Sequence, residues 1–146
     1  MNRKEFLVKG CLGCAALLTG SALLAGCSSV KHSTGTMTND GLLLDLKEFD
    51  AKDGKGRSYV VVRHDSLQYP ICVYQTSSNS YSALSLRCTH QGAELQVSGD
   101  RLTCPAHGSE FDKAGRVQQG PASENLRSFP VSARDNQLFI DLRKQS

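Results

Sequence analysis

No stretch of this 146-residue chain keeps an apolar residue at every third or fourth position for three turns, so a core of amphipathic helices is excluded. No apolar run reaches the roughly 20 residues that comfortably cross a bilayer as a helix. There is no block of Lys and Arg and no interleaving of basic with aromatic side chains, so nothing points to a nucleic-acid partner. The chain also lacks a nucleotide-binding loop and a nucleophile-base pattern, so no residue reads as acting on a substrate of its own. What remains is a chain of one-domain length, rich in Gly, Ser and Thr, with the composition of a compact β fold.

The N-terminus has a positive start (Arg3, Lys4, Lys9), an apolar run over 12–26 and then LLAGC at 23–27. That is the architecture of an export signal, with small residues before the cysteine where a peptidase needs room. LLAGC resembles the lipobox of bacterial lipoproteins. The resemblance implies that residues 1–26 are a signal peptide and that Cys27 is lipidated, each buried methylene contributing about 0.8 kcal/mol to membrane attachment. NRKEFLVK at 2–9 is similar to a twin-arginine motif with Lys4 in place of the second arginine, so twin-arginine and general export both stay open. Cys11 and Cys14 form C-x-x-C inside the apolar run and read as small signal residues. Of 17 basic and 14 acidic residues, Arg3, Lys4, Lys9 and Glu5 precede Cys27, which leaves the remainder at about +1.

Residues 28–40, SSVKHSTGTMTND, are polar and without periodicity and read as a flexible tether behind the lipidated cysteine. Residues 41–146 then carry short β-branched or aromatic runs: LLLDL, SYVVVR, PICVYQ, YSALSL, AELQV, RLTC, SEF, GRVQ, LRSFPVS and QLFIDL. Turn chemistry separates them, including SSNS at 77–80, SGD at 98–100, DKAG at 112–115, and DN at 135–136, which should close a last hairpin. The fold class is all-β.

Two short stretches carry the chemistry. RCTHQG places Cys88 and His90 one residue apart, and CPAHG offers Cys104 and His107. Two thiolates and two imidazoles suit a zinc ion, a mononuclear iron or a [2Fe-2S] cluster of mixed ligation. Zinc fingers usually give each local loop one kind of ligand. Here each loop supplies one Cys and one His, which suits two metals side by side, sulfur on one and nitrogen on the other.

CTHQGAEL, then CPAHGSEF after the intervening residues, resemble the two cluster-binding loops of the Rieske family, and GRVQQGPASENLRSFPV is similar to its covering strand and proline loop. The resemblance implies an antiparallel β-sandwich with a smaller cluster-binding subdomain over about 84–123. It assigns Cys88 and Cys104 to the inner iron of a Rieske [2Fe-2S] cluster and His90 and His107 to the outer iron. Gly92 and Gly108 would let the loop backbones come close to it. Neutral imidazoles in place of two thiolates add the electron against less negative charge and raise the potential. Where high-potential members have a disulfide clamp, this chain has Ala93 and Ala106. Of the two hydroxyls that tune cluster sulfur in those members, Ser109 matches one, and Phe111 stands where the tyrosine would be. These departures imply an intermediate potential.

The function expected is that of a membrane-anchored one-electron carrier in the bacterial cell envelope, facing the periplasm. Its expected partner is a redox protein such as a c-type cytochrome or an oxidoreductase subunit. The alternatives are a Rieske subunit of an envelope oxidoreductase or quinol-oxidising complex, and a structural zinc protein. Cys72 reads as a buried strand residue, His64 as a strand-end residue, His32 as part of the tether, and Gln91 and Glu94 as loop side chains flanking the cluster.

Overall fold

YVVV and ICVY are apolar on consecutive rather than alternate residues, the pattern of strands buried on both faces. In the computed structural model, which describes residues 29–143, they form the middle of a five-stranded sheet. Its order is β1 (His32–Ser33), β4 (Tyr59–Val62), β5 (Ile71–Ser77), β6 (Ser80–Ser85) and β11 (Ser128–Phe129). On one side lies a sheet of β12 (Val131–Arg134), β13 (Gln137–Asp141), β3 (Gly41–Asp45) and β2 (Thr36–Met37). On the other lies a sheet of β10 (Val117–Gln119), β9 (Glu110–Asp112), β8 (Arg101–Thr103) and β7 (Gln96–Ser98).

The central sheet therefore feeds two cores. Val60, Val62, Ile71, Val73 and Ala83 pack with Leu42, Leu44, Leu138 and Ile140. The alternate residues Val61, Cys72, Tyr74, Leu84 and Leu86 pack the opposite way, with Leu95, Leu102, Phe111, Leu126 and the two loop cysteines. Each fully buried Val, Leu, Ile or Phe contributes about 1.5–3 kcal/mol of transfer free energy. A one-residue slip of β5 would exchange the two sets, so both cores fix the same register.

All ten expected runs contribute strands. LRSFPVS becomes two strands in different sheets, Phe129 pairing with Ala83 and Val131 with Ile140. The break falls at Pro130, which has no N–H for a ladder and uses its carbonyl to accept from Asp141 N–H at 2.9 Å. Asp135 and Asn136 both take positive φ, +49° and +63°, in the two-residue hairpin turn expected of them.

One expectation is corrected. The stretch expected to be a flexible tether, 28–40, is held to the domain among its described residues: β1 runs parallel to β4, β2 pairs antiparallel with β3, and Val30 packs against the core that also contains the two loop cysteines. Main-chain bonds hold this strap, Val61 N–H to the Lys31 carbonyl at 3.0 Å and Arg63 N–H to the Ser33 carbonyl at 2.9 Å. The pairing is made by backbone at two sheet edges and leaves no hydrophobic period to read. Cys27, the Cys11 and Cys14 pair and the export motifs lie outside the described residues.

Candidate metal centre

The two Cys-His loops have nearly the same backbone. In the first, Cys88 N–H donates to Ala93 carbonyl at 2.8 Å, and Gly92 N–H returns to Cys88 carbonyl at 2.9 Å. In the second, Cys104 N–H donates to Ser109 carbonyl at 2.8 Å, and Gly108 N–H returns to Cys104 carbonyl at 2.9 Å. Each is one helical turn that is not continued, reversed by a glycine. Gly92 and Gly108 take φ of +78° and +79°, left-handed values that side chains with a Cβ rarely adopt.

These loops bring the four proposed ligands to one end of the molecule. Cys88 and Cys104 are each 1% exposed, in the same core cluster, and neither is in a disulfide. The His90 and His107 rings stand perpendicular with centroids 4.9 Å apart. His90 is half-buried and His107 exposed, so thiols lie inward and imidazoles outward. His90 Nδ1 is buried without a hydrogen-bond partner, a costly state for a ring nitrogen that is left without a ligand. Burial pushes the Cys104 thiol pKa up, but the backbone N–H groups of His107 and Ala106 and the Cys88 side chain outweigh it, and the net shift is downward. Sulfur here sits among donors that favour negative charge.

This donor set fits a binuclear iron-sulfur group. Two sulfur donors lie inside, two nitrogen donors outside, and one nitrogen waits for a partner. A tetrahedral zinc ion would draw all four to a single point.

Further residues complete the walls. Ser109 is fully buried, and its Oγ accepts from Ala122 N–H at 3.0 Å, so its own proton stays available to another acceptor. Phe111 is fully buried in the core cluster that includes Cys88 and Cys104, with no hydroxyl to offer. Ala122 and Leu126 of the segment after β10 cover this core. The segment is tied to the first loop by Thr89 Oγ1, which donates to Glu124 carbonyl at 2.7 Å. Thr89 is not marked by the sequence, because a threonine between two candidate ligands carries no signal until its acceptor is known. Gln91 is exposed, and Glu94 forms an ion pair with Arg63. His64 lies outside the site, accepting from Ser66 N–H at 3.1 Å, and Cys72 is a buried residue of β5.

The Rieske [2Fe-2S] domain family matches residues 44–130. A cytochrome b6-f complex iron-sulfur subunit from Synechococcus elongatus is 31% identical over 154 aligned residues, covering 96% of this chain and 83% of the relative. Another such subunit, from strain PCC 7942 of that organism, is 38% identical over 55 residues, covering 36% of this chain but only 31% of the relative's length. Among solved structures, the plasma membrane Rieske protein PetC3 from the cyanobacterium Synechocystis PCC 6803 superposes with a TM-score of 0.51 at 25% identity, covering 57% of this chain and 86% of that one.

Proposed function

Since the chain belongs to the Rieske [2Fe-2S] family and is an electron carrier of that kind, we propose that Cys88 and Cys104 hold the inner iron, His90 and His107 the outer, and that a lipid on Cys27 anchors the domain in the bacterial cell envelope, facing the periplasm. The observation that supports the ligand set best is the pair of matching loops, with thiols buried and imidazoles edge-to-face at the surface. When bound, the cluster takes up and gives back one electron. The buried cysteines and the cover of Ala122 and Leu126 exclude water from the sulfur side. The exposed His107 is the part that a partner can touch.

The strap bears on the anchoring half of the proposal. Val30 is three residue steps from Cys27, which reach at most about 10 Å. Because β1 is parallel to β4, the chain enters at the Tyr59 end of the central sheet, whereas β6 leads away from that end toward Cys88. From the level of Ser82 to Cys88 is six residues, or roughly 20 Å along the strand direction. A lipid on Cys27 would thus leave the imidazole end pointing away from its membrane. That orientation supports a water-soluble redox partner, such as a c-type cytochrome or an oxidoreductase subunit, over a quinol dissolved in the bilayer.

Purified protein should contain two irons and two acid-labile sulfides, with the reduced-state paramagnetic resonance of a histidine-ligated cluster. Loss of that signal in His90→Ala and in His107→Ala is expected; a signal unchanged in either overturns the ligand assignment. Stoichiometric zinc without labile sulfide, in protein made with ample iron, would instead mean a structural zinc site. For the anchor, Cys27→Ser should abolish acyl labelling, and an intact leader on the native protein would refute lipidation.

A further inference from the structure

Residues of β6 alternate between the two cores, and beyond its end the alternation continues: Leu84 and Leu86 face the cysteine side, while Ser85 and Arg87 face the other. Across the same edge Leu126 faces the cysteine side, and Arg127 lies level with Ser85, whose N–H donates to the Arg127 carbonyl at 2.9 Å. Arg87 and Arg127 therefore stand on one side of a cleft of about 490 Å³ whose floor includes Leu67, Ile71, Phe129 and Leu142. The cleft is lined by no acidic side chain. Within the described residues neither guanidinium has an ion pair; Arg87 lies 5.8 Å from the Tyr69 ring centroid and Arg127 4.6 Å from that of Phe129. The nearby Glu94 is already engaged by Arg63.

The cleft adjoins the first Cys-His loop directly. A Cβ built on Gly92 would stand 3.4 Å from Arg87 Nε and 3.4 Å from Tyr69 Oη, so these two side chains border the loop that carries Cys88 and His90. Two uncompensated guanidiniums over an apolar floor, next to the redox loop, complement a carboxylate-bearing surface with apolar flanks. From this we infer that the cleft is the docking surface for an acidic segment of the protein redox partner, with Arg87 and Arg127 steering it to the Cys88 loop. The inference rests on the assignment of that loop as a cluster ligand loop.

The test uses reduced holoprotein in stopped flow at low salt, passing one electron either to anionic hexacyanoferrate(III), which becomes hexacyanoferrate(II), or to cationic hexaammineruthenium(III), which becomes the ruthenium(II) ion. Arg127→Gln, and more so Arg87→Gln with Arg127→Gln, should slow the anionic oxidant by roughly threefold to tenfold and not the cationic one. Arg127→Lys should restore the wild-type rate, and about 0.5 M salt should erase the difference. A short oligoglutamate peptide should inhibit the anionic reaction at lower concentration than inorganic phosphate of equal total charge. Equal rates across the variants, or equal slowing with both oxidants, overturns the docking surface; phosphate matching the peptide overturns the polypeptide occupant. A variant that keeps the cluster resonance but not the rate difference counts against docking alone. Failure of wild type to show a histidine-ligated cluster counts against the ligand assignment.

Discussion

Ser109 and Phe111 lie two residues apart and are both fully buried, but only the serine carries a hydroxyl. A hydroxyl that donates to cluster sulfur stabilises the reduced state, where sulfur carries more negative charge, and so raises the potential. Ser109 Oγ already accepts from Ala122 N–H, which leaves its proton to give. Ser109→Ala should therefore lower the potential and also cost about 1–3 kcal/mol, because a buried Ala122 N–H loses its acceptor. Phe111→Tyr should raise the potential. Voltammetry and denaturant unfolding on both variants check this, and a potential unchanged in both would remove these residues from the cluster's surroundings.

Cys72 shows the opposite case, a thiol with nothing to do. Burial pushes its pKa up to about 12, the Tyr74 side chain opposing only in part. The folded protein thus holds the thiol proton more tightly than the unfolded chain, whose thiol titrates near 8.5. The stabilisation is complete below that value and falls as pH rises toward 12, at about 1.4 kcal/mol per pH unit. Native protein should resist iodoacetamide at Cys72 at pH 8, while unfolded protein reacts; rapid labelling of the folded form would contradict the burial. At this scale the four candidate ligands and Ser109 could be picked out because each loop is local in sequence. Thr89 and Ala122 could not, since their partners lie 35 and 13 residues away.

At the scale of elements, the runs rich in β-branched or aromatic residues became strands, and two short edge strands without such a run were missed. YVVV and ICVY announced strands through β-branched content, and Asp135 with Asn136 announced a hairpin through tolerance of positive φ. The strap of β1 and β2 announced nothing, because its two-residue strands pair through main chain at sheet edges and leave no apolar period to read. Its corner is Gly35, at φ +61°, where a Cβ would stand 2.8 Å from Leu42 Cδ2 and 2.9 Å from Leu43 carbonyl oxygen. Gly35→Ala therefore meets both a strained φ and the neighbouring strand, and should cost about 1–3 kcal/mol. The expected mark is specific: the amides of Val61 and Arg63, which donate to Lys31 and Ser33, should lose hydrogen-exchange protection before the rest of β4 and β5. Unchanged protection at those two amides would mean that the strap is not held there.

At the scale of the whole molecule, the central sheet is shared by two cores of unequal independence. The sandwich core is closed by hydrocarbon from both sheets and contains none of the four candidate ligands. The other core contains Cys88 and Cys104, is overlaid by loops, and sits beside the unpartnered His90 Nδ1. Its outer sheet, β7 to β10, hydrogen-bonds within itself and is joined to the central layer's chain by the Arg87–Glu94 bridge, the bond from Leu95 N–H to Leu86 carbonyl at 2.9 Å, and side-chain bonds from Tyr74 Oη to the Gly99 carbonyl and from Ser82 Oγ to the Lys113 carbonyl, each 2.9 Å. Binding a group to the folded state alone stabilises that state, and removing the group withdraws the stabilisation where the ligands are. Stripping the cluster should therefore loosen β7 to β10 and both ligand loops while β3, β13 and β12 keep their protection. Hydrogen exchange of apo and holo protein decides it. Uniform loss across both cores would mean that the sandwich depends on the cluster as well, and unchanged protection everywhere would mean that the ligand loops are rigid without it.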